Sequence, residues 1–149
     1  MIKLERTNSE NRDFIELVKL LDSALAIVDG KDHVFYSQFN KIDNIRYVIV
    51  AYEDGKAVGC GAIKEYGQHT MEVKRMYVSP ESRKKGIASE ILKELEEWAY
   101  ELSNSKCILE TGKRQQEAIG LYKKSGYKLI PNYGQYAEVE NSLCFEKIL

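Results

Sequence analysis

The stretch MYVSPESRKKGIASEIL, residues 76–92, runs from the end of a strand-like segment into an apolar stripe, and its reading decides the fold. Ser79-Pro80 stops the strand, because proline has no N–H to give a ladder. Three cations, Arg83, Lys84 and Lys85, then stand against Gly86 and the first stripe residue, Ile87. A glycine here costs about 1 kcal/mol of helix propensity relative to alanine. Its missing side chain lets a ligand approach the backbone. The unpaired N–H groups of a helix's first turn, together with the helix dipole, favour an anion at that place. Taken alone, the segment fits a solvated basic helix end and a cradle for a phosphate-bearing cofactor equally well.

The flanks extend the pattern. Upstream, TMEVKRMYV (70–78) alternates as a strand, which puts Glu72, Lys74, Met76 and Val78 on one face and Val73, Arg75 and Tyr77 on the other. Downstream, Ile87, Ile91, Leu92, Leu95, Trp98, Ala99 and Leu102 recur at the spacing of one helical face. Before the motif, IRYVIVAY, the turn EDGK, the return strand AVGCGAIKEY and the turn YGQH read as a meander. Ahead of that come a short strand, MIKLERT, a helix over about residues 11–28 and a short amphipathic segment, DHVFYSQFN (32–40). After the long helix follow strand CILET, a helix over about residues 115–124 closed by Ser125-Gly126, strand YKLI, and a last strand or hairpin in AEVENSLCFEKIL. Strands that first form a meander and then alternate with helices imply a mixed α+β sandwich around one sheet. With no repeat, low-complexity tract or linker, residues 1–149 read as a single domain.

Composition narrows the partners. The 22 basic and 23 acidic residues leave a net charge of −1, which argues against a nucleic-acid or anionic-membrane surface. The short basic groups Lys74-Arg75 and Arg83-Lys84-Lys85 still suit a small anionic ligand. No apolar run approaches the roughly 18 residues of a membrane-spanning helix, and MIKLERTNSENRD lacks the apolar core of a secretory signal. Cys60, Cys107 and Cys144 are odd in number and lie in apolar strand contexts without Cys-x-x-Cys spacing. They read as buried reduced thiols, so no metal is expected and a reducing, cytoplasmic compartment is.

The surroundings of the opening motif carry a resemblance. MYVSPESRKKGIASEIL resembles the acetyl-CoA signature of the GNAT superfamily of N-acetyltransferases, Gln/Arg-x-x-Gly-x-Gly/Ala after a strand ending in Val. EAIGLYKKSGY (117–127) is similar to that superfamily's second signature, with Ala, Leu-Tyr and Gly-Tyr in the same spacing. Both occur in the right order, and the meander and length agree, so the resemblance covers essentially the whole chain. It implies a central, mostly antiparallel sheet with one parallel pair, flanked by helices, and direct acetyl transfer from acetyl-CoA to an amine.

Residue roles follow from the resemblance. The signature loop's backbone N–H groups hold the coenzyme A pyrophosphate in that superfamily, a role that falls here on Arg83, Lys84, Lys85, Gly86, Ile87, Ala88 and Ser89. Met76, Tyr77 and Val78 would pair their backbone with the pantetheine arm and polarise the acetyl carbonyl, since a fixed N–H stabilises developing negative charge without reorganising. Gln115 stands where the second signature often begins with Asn, keeping the amide with a longer reach toward the cofactor. Transfer needs a proton removed from the amine and one given to the departing thiolate. Tyr122 occupies the tyrosine position that many members use as the acid; a core tyrosine is its other reading. Glu72 occupies the strand position that serves some members as base, directly or through water; its other reading is an exposed glutamate paired with Lys74 or Lys64. Tyr127 reads as packing, and His33 and His69 as surface histidines.

Substrate choice in the superfamily lies in the first helices and last strands, which here supply Tyr36, Phe39, Asn40, Tyr133 and Tyr136. Aromatic walls with a few polar groups suit a small amine or an amino acid. Acetylation of a protein N-terminus or lysine is the alternative, though NYGQYAEVENS lacks the Arg-x-x-Tyr-Tyr ending frequent in ribosomal-protein N-terminal members. A non-catalytic acetyl-CoA-binding module is a third reading, which needs neither Glu72 nor Tyr122. The oligomeric state is not legible in the sequence, and a homodimer is one arrangement compatible with it.

Overall fold

Period-two strands and the helical stripes between them assemble into one seven-stranded sheet with helices on both faces. The computed structural model describes residues 1–30 and 45–149. The strands are β1 (Ile2–Thr7), β2 (Tyr47–Glu53), β3 (Lys56–Gly67), β4 (Thr70–Val78), β5 (Lys106–Gly112), β6 (Lys128–Ile130) and β7 (Ser142–Ile148). They lie in the order β1-β2-β3-β4-β5-β7-β6, antiparallel throughout except for β4 beside β5. The helices among the described residues are α1 (Arg12–Asp29), α2 (Ile87–Glu101) and α3 (Gln116–Lys124). This is the mixed α+β arrangement with a parallel pair that the sequence led us to expect. The segment DHVFYSQFN, with His33, Tyr36, Phe39 and Asn40, lies outside the described residues. Among the described residues no helix is long and apolar enough to cross a membrane.

The helix stripes divide between the two sides of the sheet, α1 on one and α2 and α3 on the other. Asn11 starts α1 by accepting the Phe14 N–H at 2.9 Å, filling one of the orphan donors of the first turn. Phe14, Leu17, Val18 and Leu21 then bury against Val48, Val50, Cys60 and Ala62. On the opposite face Ile87, Ile91, Leu92 and Leu95 of α2 pack on Ile49, Ile63 and Val73, with Ile119, Tyr122 and Phe145 continuing the same core. Each large aliphatic side chain fully buried in this way contributes about 1.5–3 kcal/mol.

Gly61 lets α2 come down onto the sheet. A Cβ there would meet Met76 Sδ at 2.5 Å and Ile91 Cγ2 at 2.8 Å, so the helix sits directly on β3 backbone. Opposite Gly61 the register slips: Cys60 faces Tyr77 and Ala62 faces Lys74, leaving Arg75 and Met76 against one residue of β3. This is a β-bulge, and Arg75 takes a left-handed backbone, φ 60°, to form it. The extra residue reverses side-chain parity. Val73 therefore shares the α2 core with Met76 and Val78, while Tyr77 joins the core under α1. The strict alternation expected from the sequence, with Val73 beside Tyr77 and Glu72 beside Val78, is corrected by that insertion.

The bulge also opens the sheet. β4 pairs with β5 only over Thr70–Lys106, Met71–Cys107 and Glu72–Ile108. Beyond Glu72 the two parallel strands part, and the β4 edge from residue 74 to 78 faces a fork.

Candidate active site

The fork widens into a cleft of about 1080 Å³, walled by β4, β5, α3 and the inner face of α1. Its floor near the strand end is the loop between β4 and α2. After Val78, Pro80–Ser82 make a single 3-10 turn, so the helix begins at Ile87 rather than at the proline. Lys84 and Gly86 both take left-handed backbone, φ 65° and 80°. Gly86 has nothing within 4 Å of where a Cβ would stand, so the position is kept for its conformation and for access. The first N–H of α2 to find a carbonyl is that of Glu90, on Gly86 at 3.1 Å. The N–H groups of residues 84–89 donate to no backbone acceptor among the described residues. Alternating left-handed residues that turn successive N–H groups to one side make an anion-binding concavity, and the α2 dipole adds to it.

The neighbouring cations are occupied differently. Arg83 Nε donates to the Val78 carbonyl at 2.8 Å, and its guanidinium lies 5.8 Å from the Tyr77 ring centre, so Arg83 braces the end of β4. Lys85 reaches Glu53 on β2 at 3.2 Å and does not line the cleft. Lys84 does line it. Met76, Tyr77, Val78, Gly86, Ile87, Ala88, Ser89 and Gln115 are likewise on the cleft wall.

Deeper in the fork, two acid–base candidates stand on opposite walls. Glu72 is buried at the point where β4 and β5 part; its Oε2 accepts the Tyr133 hydroxyl at 2.6 Å and Lys74 Nζ lies 3.5 Å from Oε1. The pairing with Lys74 is the one its simpler reading anticipated, but the carboxylate is buried, not exposed. Tyr122 is buried on α3, edge-on to Tyr127 at 5.9 Å between ring centres, and lines the cleft. Burial first, and the Glu110 carboxylate second, push the Tyr122 phenol up, so it keeps its proton at neutral pH. Tyr133 is raised in the same way, by burial and then by Glu72.

The aromatic residues of the β6–β7 connection form one group. Tyr133 packs edge-on against Tyr66 at 5.0 Å and Tyr136 at 6.0 Å. Tyr136 reaches the cleft wall itself, whereas Tyr133 touches it through Glu72. Tyr127 is packed in the core, and His69 sits in the β3–β4 turn, where it does not line the cleft. Two cleft residues were missed from the sequence. Glu110 on β5 lines the cleft and accepts Ser142 Oγ at 2.8 Å; a lone carboxylate inside the apolar CILET run was its signal. Arg75, read only as part of a basic pair, is buried on the cleft wall by the bulge.

The sheet forks between its parallel neighbours, and a loop whose N–H groups donate to no backbone acceptor among the described residues lies at the mouth of the fork. The chain matches the acetyltransferase (GNAT) family over residues 14–127, and it belongs to that family, whose enzymes are N-acetyltransferases. It is 34% identical to an IAA acetyltransferase of Azospirillum brasilense over 142 residues, 91% of this chain and 90% of that one. It is 32% identical to the uncharacterized N-acetyltransferase YsnE of Bacillus subtilis over 101 residues, 66% of this chain and 67% of the relative. A Klebsiella pneumoniae protein assigned as an acyl-CoA N-acyltransferase superposes with a TM-score of 0.84 at 26% identity, covering 100% of this chain and 98% of the other. The PaiA N-acetyltransferase of Thermoplasma acidophilum, solved in complex with coenzyme A, shares the fold with a TM-score of 0.74 at 17% identity, covering 100% and 99%.

Proposed function

We propose that the chain transfers the acetyl group of acetyl-CoA directly to the primary amine of a small molecule or amino acid bound in the forked cleft. The observation that carries this reading is the β4 edge left unpaired by β5 beyond Glu72, followed by residues 84–89, whose N–H groups donate to no backbone acceptor among the described residues. Those donors, with open space at Gly86, fit a pyrophosphate, and the free edge from residue 74 to 78 fits an amide-bearing arm laid along the strand. Acetyl-CoA supplies an activated thioester when bound.

The protein's own groups have the remaining tasks. Of the β4 backbone N–H groups, those of Met76 and Val78 turn to the open edge and offer fixed donors for negative charge developing on the acetyl oxygen, whereas Tyr77 shares the β3-facing edge with Ser79, whose N–H donates to Val58. Glu72, held through both oxygens by Tyr133 and Lys74, takes the proton of the incoming amine, directly or through water. Tyr122, kept protonated by burial, gives its proton to the departing sulfur. Tyr136 walls the acceptor's side, with Tyr133 packed edge-on behind it. Gln115, at the start of α3, lies on the wall where it can hold the cofactor's far arm.

The test is a panel of amino acids, polyamines, aminoglycosides and peptides scored for acetyl-CoA-dependent thiol release. Turnover of a free amine is expected. Acetylation of peptides alone would replace this reading by a protein acetyltransferase. Acetyl-CoA binding with no turnover of any amine would leave a binding module.

A further inference from the structure

Arg75 is a charged group of the cleft wall with a buried donor that is not used. A guanidinium has five N–H donors. Here the side chain is 2% exposed, Nη2 donates to Oδ1 of Asp22 on α1 at 2.5 Å, and Nε is buried with no partner among the described residues. Removing such a cation from water while a donor goes unfilled is costly. The same residue carries the left-handed backbone of the bulge, a further cost for a residue with a Cβ. Two unfavourable features thus coincide on one residue, inside the cleft and on the strand that carries Glu72. A tie between β4 and α1 would explain the Asp22 contact but not the unused Nε. Asp22 is itself 47% exposed and engages the guanidinium through one oxygen, which leaves room for a second anion.

We propose that Arg75 holds a carboxylate of the acceptor, so that the molecule acetylated is of the amino-acid class, with an amine at Glu72 and a carboxylate at Arg75. This rests on the acetyl-transfer reading given above. A carboxylate matches the planar guanidinium fork with two parallel hydrogen bonds, which an alcohol, an amide or a second amine does not. Lys74, beside Arg75 on the same wall, is already paired with Glu72 and so belongs to the amine end. A polyamine or aminoglycoside would bring only cations to Arg75 and leave its donors unfilled. Because a buried site built for hydrogen bonds rejects an analogue that lacks them, preference for the acid over its neutral counterpart is strong.

The experiment compares each amino acid with its carboxamide and its decarboxylated amine at saturating acetyl-CoA, in the wild type, Arg75→Lys and Arg75→Met. The wild type is expected to favour the acid by about 100-fold in kcat/KM. Arg75→Met is expected to erase that preference, chiefly through KM for the acid, while acetyl-CoA still raises the melting temperature. A purely structural Arg75 would lower acid and carboxamide in equal proportion, and that result overturns the proposal. Equal use of acid and carboxamide by the wild type overturns it as well, and needs no variant to fold. Efficient turnover of a polyamine or peptide in place of any amino acid overturns the carboxylate site and leaves acetyl transfer standing. Where no acceptor turns over, the same acids and carboxamides are scored for stabilising the coenzyme A-bound wild type. Stabilisation by acids alone supports the site, and its absence overturns it.

Discussion

In the proposed mechanism Tyr122 and Glu72 divide the acid–base work between two walls of one fork, and each can be tested alone. Tyr122→Phe removes a proton and leaves the ring that packs against Tyr127 and Phe145. Its kcat is expected to fall roughly 100-fold, with the melting-temperature rise on acetyl-CoA retained. A variant that turns over at the wild-type rate removes Tyr122 from the mechanism. Glu72→Gln is expected to lose a similar factor, and Tyr133→Phe about tenfold, because one charge-assisted hydrogen bond to the base is gone. If Tyr133 acts through Glu72, adding Tyr133→Phe to Glu72→Gln costs nothing further; additive losses in that double variant would contradict it. Glu72 and Tyr122 stood in the sequence because their positions are tied to motifs. Their environment did not: nothing in MEVKRM says that Tyr133, far along the chain, donates to Glu72, since that contact is made by the fold.

At the scale of elements, β4 is decided by its bulge. Gly61 marks the spot from the opposite strand, where α2 leaves no room for a Cβ. Gly61→Ala is expected to lower stability by about 1–3 kcal/mol, read from the urea midpoint, because Met76 and Ile91 must be pushed aside. A midpoint within experimental error of wild type would show that the helix can lift off without cost. Periodicity found β4, the α2 stripe and the meander. It could not find a two-against-one register, because alternation read along one strand carries no information about the strand opposite. Glu72 and Lys74 share a face as expected, but the grouping of Met76 and Val78 with them, and of Tyr77 with Val73, came out wrong, and with it the route by which Arg75 reaches the cleft. The insertion of β7 between β5 and β6 was equally invisible, being a long-range pairing with no local signature. Tyr36, Phe39 and Asn40 belong to the acceptor-side expectation but lie outside the described residues.

For the whole molecule, burial of ionisable groups in the sheet sets its response to alkali. Burial pushes Cys60 from 9.0 up to about 12, Cys107 to about 12 and Cys144 to about 11. Tyr52 moves to about 12, first through burial and then through its bond to Asp13. These groups stay protonated in the folded chain at pH values where the unfolded chain has released them. Their contribution is complete below about pH 9, the unfolded thiol value, and is lost as pH rises toward the folded values. The urea midpoint is expected to fall steadily from pH 9 to 11, and the three thiols to react with a disulfide reagent only on unfolding. A midpoint flat across that range would contradict the account. The silent thiols also leave the thiol-release assay free of background from the folded protein.

The claim on which the rest depends is that the loop of residues 84–89 receives the pyrophosphate of acetyl-CoA. Thermal unfolding with and without acetyl-CoA tests it most directly. At about a hundred times the dissociation constant, binding adds about 2.7 kcal/mol and should raise the wild-type midpoint by roughly 5 °C or more. Gly86→Glu, which sets a carboxylate and a Cβ in the left-handed position at the mouth of the cleft, should abolish the rise. A wild type that does not shift at millimolar acetyl-CoA, or a Gly86→Glu variant that shifts as far as the wild type, would contradict it.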